Sequence, residues 1–269
     1  MRNQYDPVRR LDVAAILRRK STEVSGTWRR ELEEMASKIE QCREENFVNG
    51  FKEDGCKARM CPAYMATRHA VPAANRMRAQ FAPVPLGRLF FIRLTHPDRR
   101  VTGDELAQAR RDLLYAVLRL TQSRAWRETF LSWGGTVHLE WRPSSKKHGQ
   151  AGFNVHLHLI CEADDDDPDV DSIEKTWRKI IGSPNSAADP IYLEPVEEFD
   201  AAATYVPHVE NLIPGYEEDS RGRLFLERMP VRDIFAFLDA TKGAHRLLKH
   251  RFNRARRPGH RVTRTGGGR

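Results

Sequence analysis

Two runs of alternating apolar and polar residues constrain this chain more than any other feature. They cover residues 136–142 and 154–160, and a ten-residue loop over 143–152 joins them. Side chains alternate between the two faces of a β-strand, so each run predicts a strand with one apolar and one polar face. If the two strands pair antiparallel, their apolar faces lie together and can be buried under helices. Their polar faces then lie together as well.

The shared polar face carries side chains that can bind a cation. Glu140 lies on the first strand and His156 and His158 on the second, with His138 nearby. Residues two apart on a strand have side chains roughly 7 Å apart at their bases, which lets two imidazoles converge on one ion. With a carboxylate from the neighbouring strand, this set suits Mn²⁺, Mg²⁺, Zn²⁺ or Fe²⁺ and leaves positions for substrate oxygens. The pattern predicts a metal site on an exposed sheet face; the alternative is a polar face that is merely rich in histidine.

The other patterns interleave helices with short strands. Helical spacing is present over 9–46, and a capping box of Thr102 and Glu105 begins an amphipathic helix over 102–121. Further helices are predicted over 172–181, 199–206 and 230–252, further strands over 89–94 and 191–193, and a loop-rich segment over 47–87. Because the two alternating strands are sequence neighbours, we expect an α+β fold: a central antiparallel sheet with helices on one face and helical additions at both ends.

The charge of the chain indicates a polyanionic partner. The 269 residues carry a net charge of +8, and 251–269 contain seven arginines and no acid. Nucleic acid is the usual partner of such a segment; a disordered solubilising tail is the alternative. Candidate contacts to nucleic acid, in the loop between the alternating strands, after the last predicted helix and in the tail, are Lys146, Lys147, Lys242, Arg254, Arg256 and Arg257. For the loop lysines, a solvated hairpin tip is the competing interpretation.

Composition places the chain away from membranes and export. No run of 18 apolar residues occurs, and the first ten residues lack the apolar segment of a secretory signal. Four cysteines in 269 residues do not form a disulfide framework. We therefore expect a cytoplasmic protein with no membrane partner.

Three of the cysteines form a candidate zinc site. Cys42, Cys56 and Cys61 lie in or beside the loop-rich segment, and His69 is the candidate fourth ligand. A structural zinc ion takes four ligands, and such a site would stabilise a segment without long helices. No Cys-x-x-Cys pair is present, so ordinary buried or free thiols are the alternative. Cys161, at the end of the histidine strand, is predicted to lie in the core.

Taken in order, the motifs resemble those of HUH endonucleases, and most closely the plasmid rolling-circle replication initiators. The segment 153–160, FNVHLHLI, resembles the His-hydrophobe-His motif of that superfamily, and 135–140, GTVHLE, resembles the strand that precedes it. Further matches are the strand FIRLT over 91–95, the cysteine cluster CKARMCP over 56–62 and the segment TKGAH over 241–245. The matches cover residues from about 42 to 250.

The resemblance implies a site and a mechanism. It implies an RRM-like sheet core in which His156, His158 and Glu140 hold Mg²⁺ or Mn²⁺, with His138 as an additional ligand. It also implies that Tyr205, on the helix after the sheet, attacks a phosphodiester in single-stranded DNA and leaves a 5′-phosphotyrosyl link and a free 3′-OH. His208 stands where the family has a lysine.

The resemblance also implies an organisation and a set of partners. The expected parts are 1–85, a helical and cysteine-containing region acting as a zinc-supported DNA-binding module; 86–215, the nicking core; 216–250, a C-terminal helical segment; and 251–269, a disordered basic tail. The implied partners are single-stranded DNA at a replication origin, a host helicase and a DNA polymerase.

Several alternatives stay open from the sequence. Tyr192 and Tyr216 compete with Tyr205 as the nucleophile. Some relatives have a glutamate one helical turn before the tyrosine, as the base for the terminating hydrolysis. This chain has Ala201 at that position, and the nearby candidate bases are Glu197, Glu198 and Asp200. A single-tyrosine transposase or relaxase would share the site, and a non-catalytic DNA-binding regulator would share the charge.

Overall fold

A computed structural model describes residues 7–42, 56–96, 100–145, 149–165, 168–182, 191–208, 212–242 and 248–251. Its helices are α1 (Pro7–Thr22), α2 (Gly26–Glu40), α3 (Pro62–Met65), α4 (Val71–Phe81), α5 (Gly103–Gln122), α6 (Arg124–Thr129), α7 (Val170–Ile180), α8 (Phe199–Tyr205) and α9 (Val231–Ala240). Its strands are β1 (Leu89–Thr95), β2 (Phe130–Arg142), β3 (Gly152–Ala163), β4 (Ile191–Pro195) and β5 (Leu248–Arg251). Within these ranges no helix combines the length and the apolar character needed to cross a membrane.

The five strands form one sheet in the order β4-β1-β3-β2-β5. Every neighbouring pair is antiparallel, which confirms the predicted fold class. The long β2 and β3 are the two alternating runs, and their register places His138 directly opposite His156 and Thr136 opposite His158. Residues directly opposite each other share a face, so the polar side chains of the two strands do lie together.

The larger helices cover the apolar face of the sheet, as predicted. Buried residues of α1, α2, α5, α7 and α9 form one continuous core with the apolar side chains of β2 and β3. The helix α5 begins at the predicted capping box, in which the Thr102 N–H donates to Glu105 Oε2 at 2.9 Å. On the same face, Trp141 Nε1 donates to Asp233 Oδ2 of α9 at 3.0 Å, so this buried indole has a hydrogen-bond partner.

The opposite face, which carries the histidines, is not bare. Met77 and Phe81 of α4 pack with Ala203 and Val206 of the α8 segment against Ile160 of β3. The prediction that this face is exposed is therefore wrong at its centre. The predicted loop-rich segment is also wrong over 62–81, where α3, a π-helical turn over 66–70 and α4 follow one another. The proline of α4, Pro72, follows the π-helical turn, so the missing N–H falls where the regular α-helical hydrogen-bond pattern is already interrupted.

The C-terminal helical prediction over 230–252 is wrong at residues 241–242 and 248–251, and residues 243–247 and 252 lie outside the described ranges. The helix α9 ends at Ala240, and the Thr241 hydroxyl donates back to the carbonyl of Phe237 at 2.7 Å. Residues 248–251 instead form β5, which pairs with β2. Pairing of this segment satisfies backbone groups at the edge of β2, and such tertiary pairing outweighs a local helical preference.

A pair of adjacent glycines tests the β2–β3 register. A Cβ at Gly135 would overlap the carbonyl oxygen of His158 and the side chain of Leu159, whereas a Cβ at Gly134 would lie 3.5 Å from Phe81, an ordinary contact. Gly135→Ala should therefore lower the free energy of unfolding by about 2 kcal/mol. The matched Gly134→Ala variant should change it little, because alanine is accommodated there. Urea unfolding of the two variants measures the difference; equal midpoints would contradict this register.

Candidate active site

Three imidazoles form a buried cluster at the centre of the polar face. His138 from β2 and His156 and His158 from β3 are each at most 5% exposed. Their ring centroids lie 4.2 to 5.1 Å apart. One nitrogen from each ring lies within 4.8 Å of the other two, an arrangement able to hold a metal ion. We call these three residues the histidine triad.

Burial keeps the triad neutral. It lowers the pKa of His138 and His158 well below the ordinary value of 6.5, and the neighbouring imidazoles lower it further. It lowers the pKa of His156 to about 4, although the negative charge of Glu140 opposes the shift. Neutral imidazole is the form that binds metals, so the triad has the protonation state that a cation needs.

Hydrogen bonding shows which nitrogen the His138 ring offers. His138 Nε2 lies 2.7 Å from the carbonyl oxygen of Val206; since that oxygen only accepts, Nε2 carries the proton. His138 Nδ1 is therefore a lone-pair atom. It is buried, and among the described residues neither it nor His158 Nδ1 has a hydrogen-bond partner. Buried polar atoms without partners are costly, and a cation would satisfy both nitrogens. The residues present thus fit a metal ion.

Glu140, the predicted third ligand, is engaged elsewhere. The register places it opposite Asn154, whose amide donates to it at 3.3 Å, and it pairs with Arg142. Burial raises the pKa of this carboxyl, but a hydrogen bond from Glu217 and the charges of His156 and Arg142 outweigh burial and bring the pKa to about 2. Among the described residues the triad contains His138 in its place. As a ligand, Glu140 stays a prediction.

Tyr205 lies beside the triad at the end of α8. Its ring stacks on His158 at 5.3 Å with an angle of 22°, and it lies 6.0 Å from Phe91. Half of the side chain is exposed, so large substrates can reach the phenol. The N–H of His208 donates to the Tyr205 carbonyl at 3.0 Å, and a charge on His208 acts on His138, which places both predicted residues next to the triad.

The competing tyrosines have other surroundings. Tyr216 is only 3% exposed and belongs to the main core. Tyr192 lies on β4, and its hydroxyl donates to Glu194. That hydrogen bond raises the pKa of Tyr192, which makes its phenolate harder to form. Of the three candidates, Tyr205 has the ring contact with a triad histidine.

The position of α8 depends on a residue that the sequence did not identify. Arg78 of α4 donates from Nε to Asp200 at 2.8 Å and from its terminal nitrogen to Thr204 Oγ1 at 2.6 Å. It therefore links α4 to the helix turn that precedes Tyr205. Asp200, a candidate acid in the sequence, is engaged in this link. The sequence did not indicate this role for Arg78, because residues 71–81 lack a long amphipathic pattern and were not predicted to form a helix.

The cysteines also come together. The sulfurs of Cys42, Cys56 and Cys61 all lie within 4.8 Å of one another, and all three are reduced thiols. Hydrogen bonds donated to the Cys42 sulfur raise the pKa of Cys56, to about 11, and of Cys61. His69 is not a member of this group within the described ranges; its ring contacts Tyr64 at 5.5 Å. Cys161 is buried in the core, as predicted.

The predicted nucleic-acid contacts lie mostly outside the described residues. The residues outside the described ranges are Lys146, Lys147, Arg254, Arg256 and Arg257, and their contact with nucleic acid stays a prediction. Lys242 is exposed just after α9. Arg59, from the cysteine segment, donates to the carbonyl of Leu238 at 2.9 Å, so the end of α9 lies near the cysteines.

Comparisons with models of protein families, with curated proteins and with solved structures gave no significant match. The resemblance to HUH endonucleases therefore depends on the sequence motifs alone.

Two substitutions distinguish the candidate third ligands. If His138 is the ligand, His138→Ala should weaken Mn²⁺ binding at least tenfold, because a lost ligand costs no less than the 10- to 100-fold typical of outer-shell partners. Glu140→Gln keeps the shape of the side chain and should weaken binding less. Calorimetric titration of Mn²⁺ into each folded variant gives the two affinities. The reverse order would make Glu140 the ligand and His138 its neighbour.

Proposed function

We propose that this chain is a metal-dependent endonuclease and strand transferase. It nicks and rejoins single-stranded DNA through a tyrosine–phosphate intermediate and so starts rolling-circle replication of a plasmid. The observation that carries the proposal is the placement of Tyr205, half exposed and stacked on His158 of a buried triad. A nucleophile beside a candidate metal site is the arrangement that phosphoryl transfer to a side chain requires.

The proposed cation is held by the histidine triad. When bound, it would polarise the scissile phosphodiester and stabilise the negative charge that develops there. Mg²⁺ or Mn²⁺ is the expected ion. Three imidazole nitrogens fit Mn²⁺ better than Mg²⁺, because Mg²⁺ prefers oxygen ligands in octahedral geometry.

The proposed cleavage of the DNA strand uses a side chain of the protein itself as the nucleophile. The Tyr205 oxygen attacks phosphorus, the bond from phosphorus to the 3′ oxygen breaks, the phenol loses its proton and the 3′ oxygen gains one. One phosphodiester replaces another, so the link can later be resealed without an energy source. A phenol has a pKa near 10 and is a weak nucleophile at neutral pH, which is why the reaction depends on charge stabilisation beside it.

His208 would contact the phosphate in its protonated form. Its support is position: it follows the nucleophile by one turn, and its charge acts on His138. The proposed setting is the cytoplasm, with origin single-stranded DNA, a host helicase and a DNA polymerase as partners. A transposase or relaxase would share this chemistry and differ in its DNA.

We also propose that the three cysteines bind a structural zinc ion. Zinc is the usual ion of thiolate clusters, and a bound ion would tie α2 to the start of α3 across the undescribed residues 43–55. The cysteine site differs from the histidine triad in its ligands, which are sulfur atoms in the first and nitrogen atoms in the second. The two sites would therefore select different ions.

The nicking activity is tested by a covalent adduct. Wild-type protein is mixed with labelled single-stranded fragments spanning its own replicon, with Mn²⁺ or EDTA, and run on a denaturing gel. We expect a metal-dependent shifted band that disappears in Tyr205→Phe, because phenylalanine keeps the ring stacking and removes the nucleophilic oxygen. Tyr192→Phe is the matched control and should still form the adduct.

The other outcomes of that gel are also informative. An adduct that survives Tyr205→Phe but not Tyr192→Phe would move the nucleophile to β4. Absence of any adduct from folded protein that binds the same DNA would favour the non-catalytic regulator.

The zinc proposal predicts a specific thiol dependence. Protein loaded with Co²⁺ should show the near-ultraviolet absorption of a thiolate–cobalt bond. Cys61→Ser should remove that band and lower the melting temperature, since a buried ligand and its ion are both lost. Cys161→Ala removes a buried thiol outside the cluster and should keep the band. A band that is unchanged in Cys61→Ser would exclude the cluster as the site.

A further inference from the structure

An arginine and a tyrosine that the proposed reaction does not use lie next to each other on the histidine side of the sheet. Arg93 of β1 and Tyr192 of β4 are directly opposite in the antiparallel register. The Arg93 guanidinium lies 5.5 Å from the centre of the Tyr192 ring, a cation–π distance. Both side chains are exposed; Tyr192 retains 43% of its surface.

This pair is continuous with the active site. On its other side Arg93 lies directly opposite His158, a member of the triad. The ring of Phe91 lies 6.5 Å from Tyr192, 6.0 Å from Tyr205 and 5.1 Å from His158. A row of aromatic rings therefore leads from the sheet edge to the candidate nucleophile, with the arginine alongside.

The two ends of this row differ in the sign of their charge. Among the described residues, no carboxylate forms an ion pair with Arg93, and its charge reaches both His156 and His158. At the other end, Glu194 accepts the hydrogen bond of the Tyr192 hydroxyl and places a negative charge there. A phosphate is thus attracted toward Arg93, beside the triad, and repelled from the Glu194 end.

We propose that Tyr192 and Arg93 form a binding subsite for one nucleotide of single-stranded DNA next to the scissile phosphate. The base stacks on the exposed ring of Tyr192, and the phosphate binds the Arg93 guanidinium. The inference rests on the proposed function, whose substrate path it defines. Stacking tolerates every base because each has a π-face, and a guanidinium matches phosphate geometry with two parallel hydrogen bonds.

The test separates stacking from charge. Binding of fluorescein-labelled oligothymidylate to the full chain is measured by anisotropy in EDTA, over a series of salt concentrations. Tyr192→Ala should weaken binding about tenfold at every salt concentration, because stacking is worth roughly that factor per base. Tyr192→Phe keeps the ring and should bind within about twofold of wild type.

Arg93→Ala should behave differently. Loss of one phosphate contact on a single strand should lower the slope of log affinity against log salt by about 0.7. Two matched controls lie away from the histidine face: Tyr115→Ala on α5, at a tyrosine that is 64% exposed, and Arg124→Ala on α6, at a side chain that is 86% exposed. Neither control should change affinity or slope.

The outcomes distinguish failure of the subsite from failure of the proposed function. If wild type forms the adduct but Tyr192→Ala binds oligothymidylate as tightly as wild type, the subsite is wrong and the proposed function stands. A change of salt slope in Tyr192→Ala would also overturn the stacking role. If wild type neither binds single strands nor forms the adduct, the proposed function fails and the subsite fails with it.

Discussion

The pairing of β2 with β3 is the constraint on which the rest of the structure depends. It places His138 opposite His156, with His158 two residues further along β3, so three imidazoles meet on one face. A shift by one residue would turn these rings into the apolar layer and bring leucines to the surface. Gly135 maintains the pairing at this point, because a side chain there would meet the backbone of His158.

A second interaction joins this sheet to the candidate nucleophile. His138 donates from Nε2 to the carbonyl of Val206, the residue that follows Tyr205. One bond therefore selects the tautomer that leaves Nδ1 available to a cation and holds the end of α8 over the triad. Arg78 supports the same helix from α4 through Asp200 and Thr204. The candidate metal site and the tyrosine are parts of one packed unit.

The period-2 patterns predicted the two central strands, their pairing and the common face of the histidines, because alternation determines which side chains share a face. They did not determine the register, and the register places Asn154 opposite Glu140 and makes His138 the third member of the triad. Tertiary packing was equally hidden: α4 has a proline at its second position, a residue that looks like a helix breaker, and β5 pairs with the edge of β2.

Coverage of the polar face by α4 and α8 reconciles two demands of the proposed chemistry. A metal ligand must stay neutral, and removal from water lowers the pKa of all three imidazoles. A DNA strand, however, needs an open surface. The part of the face covered by α4 and α8 ends at Tyr205, which is half exposed. Arg93 and Tyr192 lie on the same face, outside the covered part. Protein atoms thus enclose the candidate ligands, while the candidate nucleophile stands at the boundary where a substrate can approach.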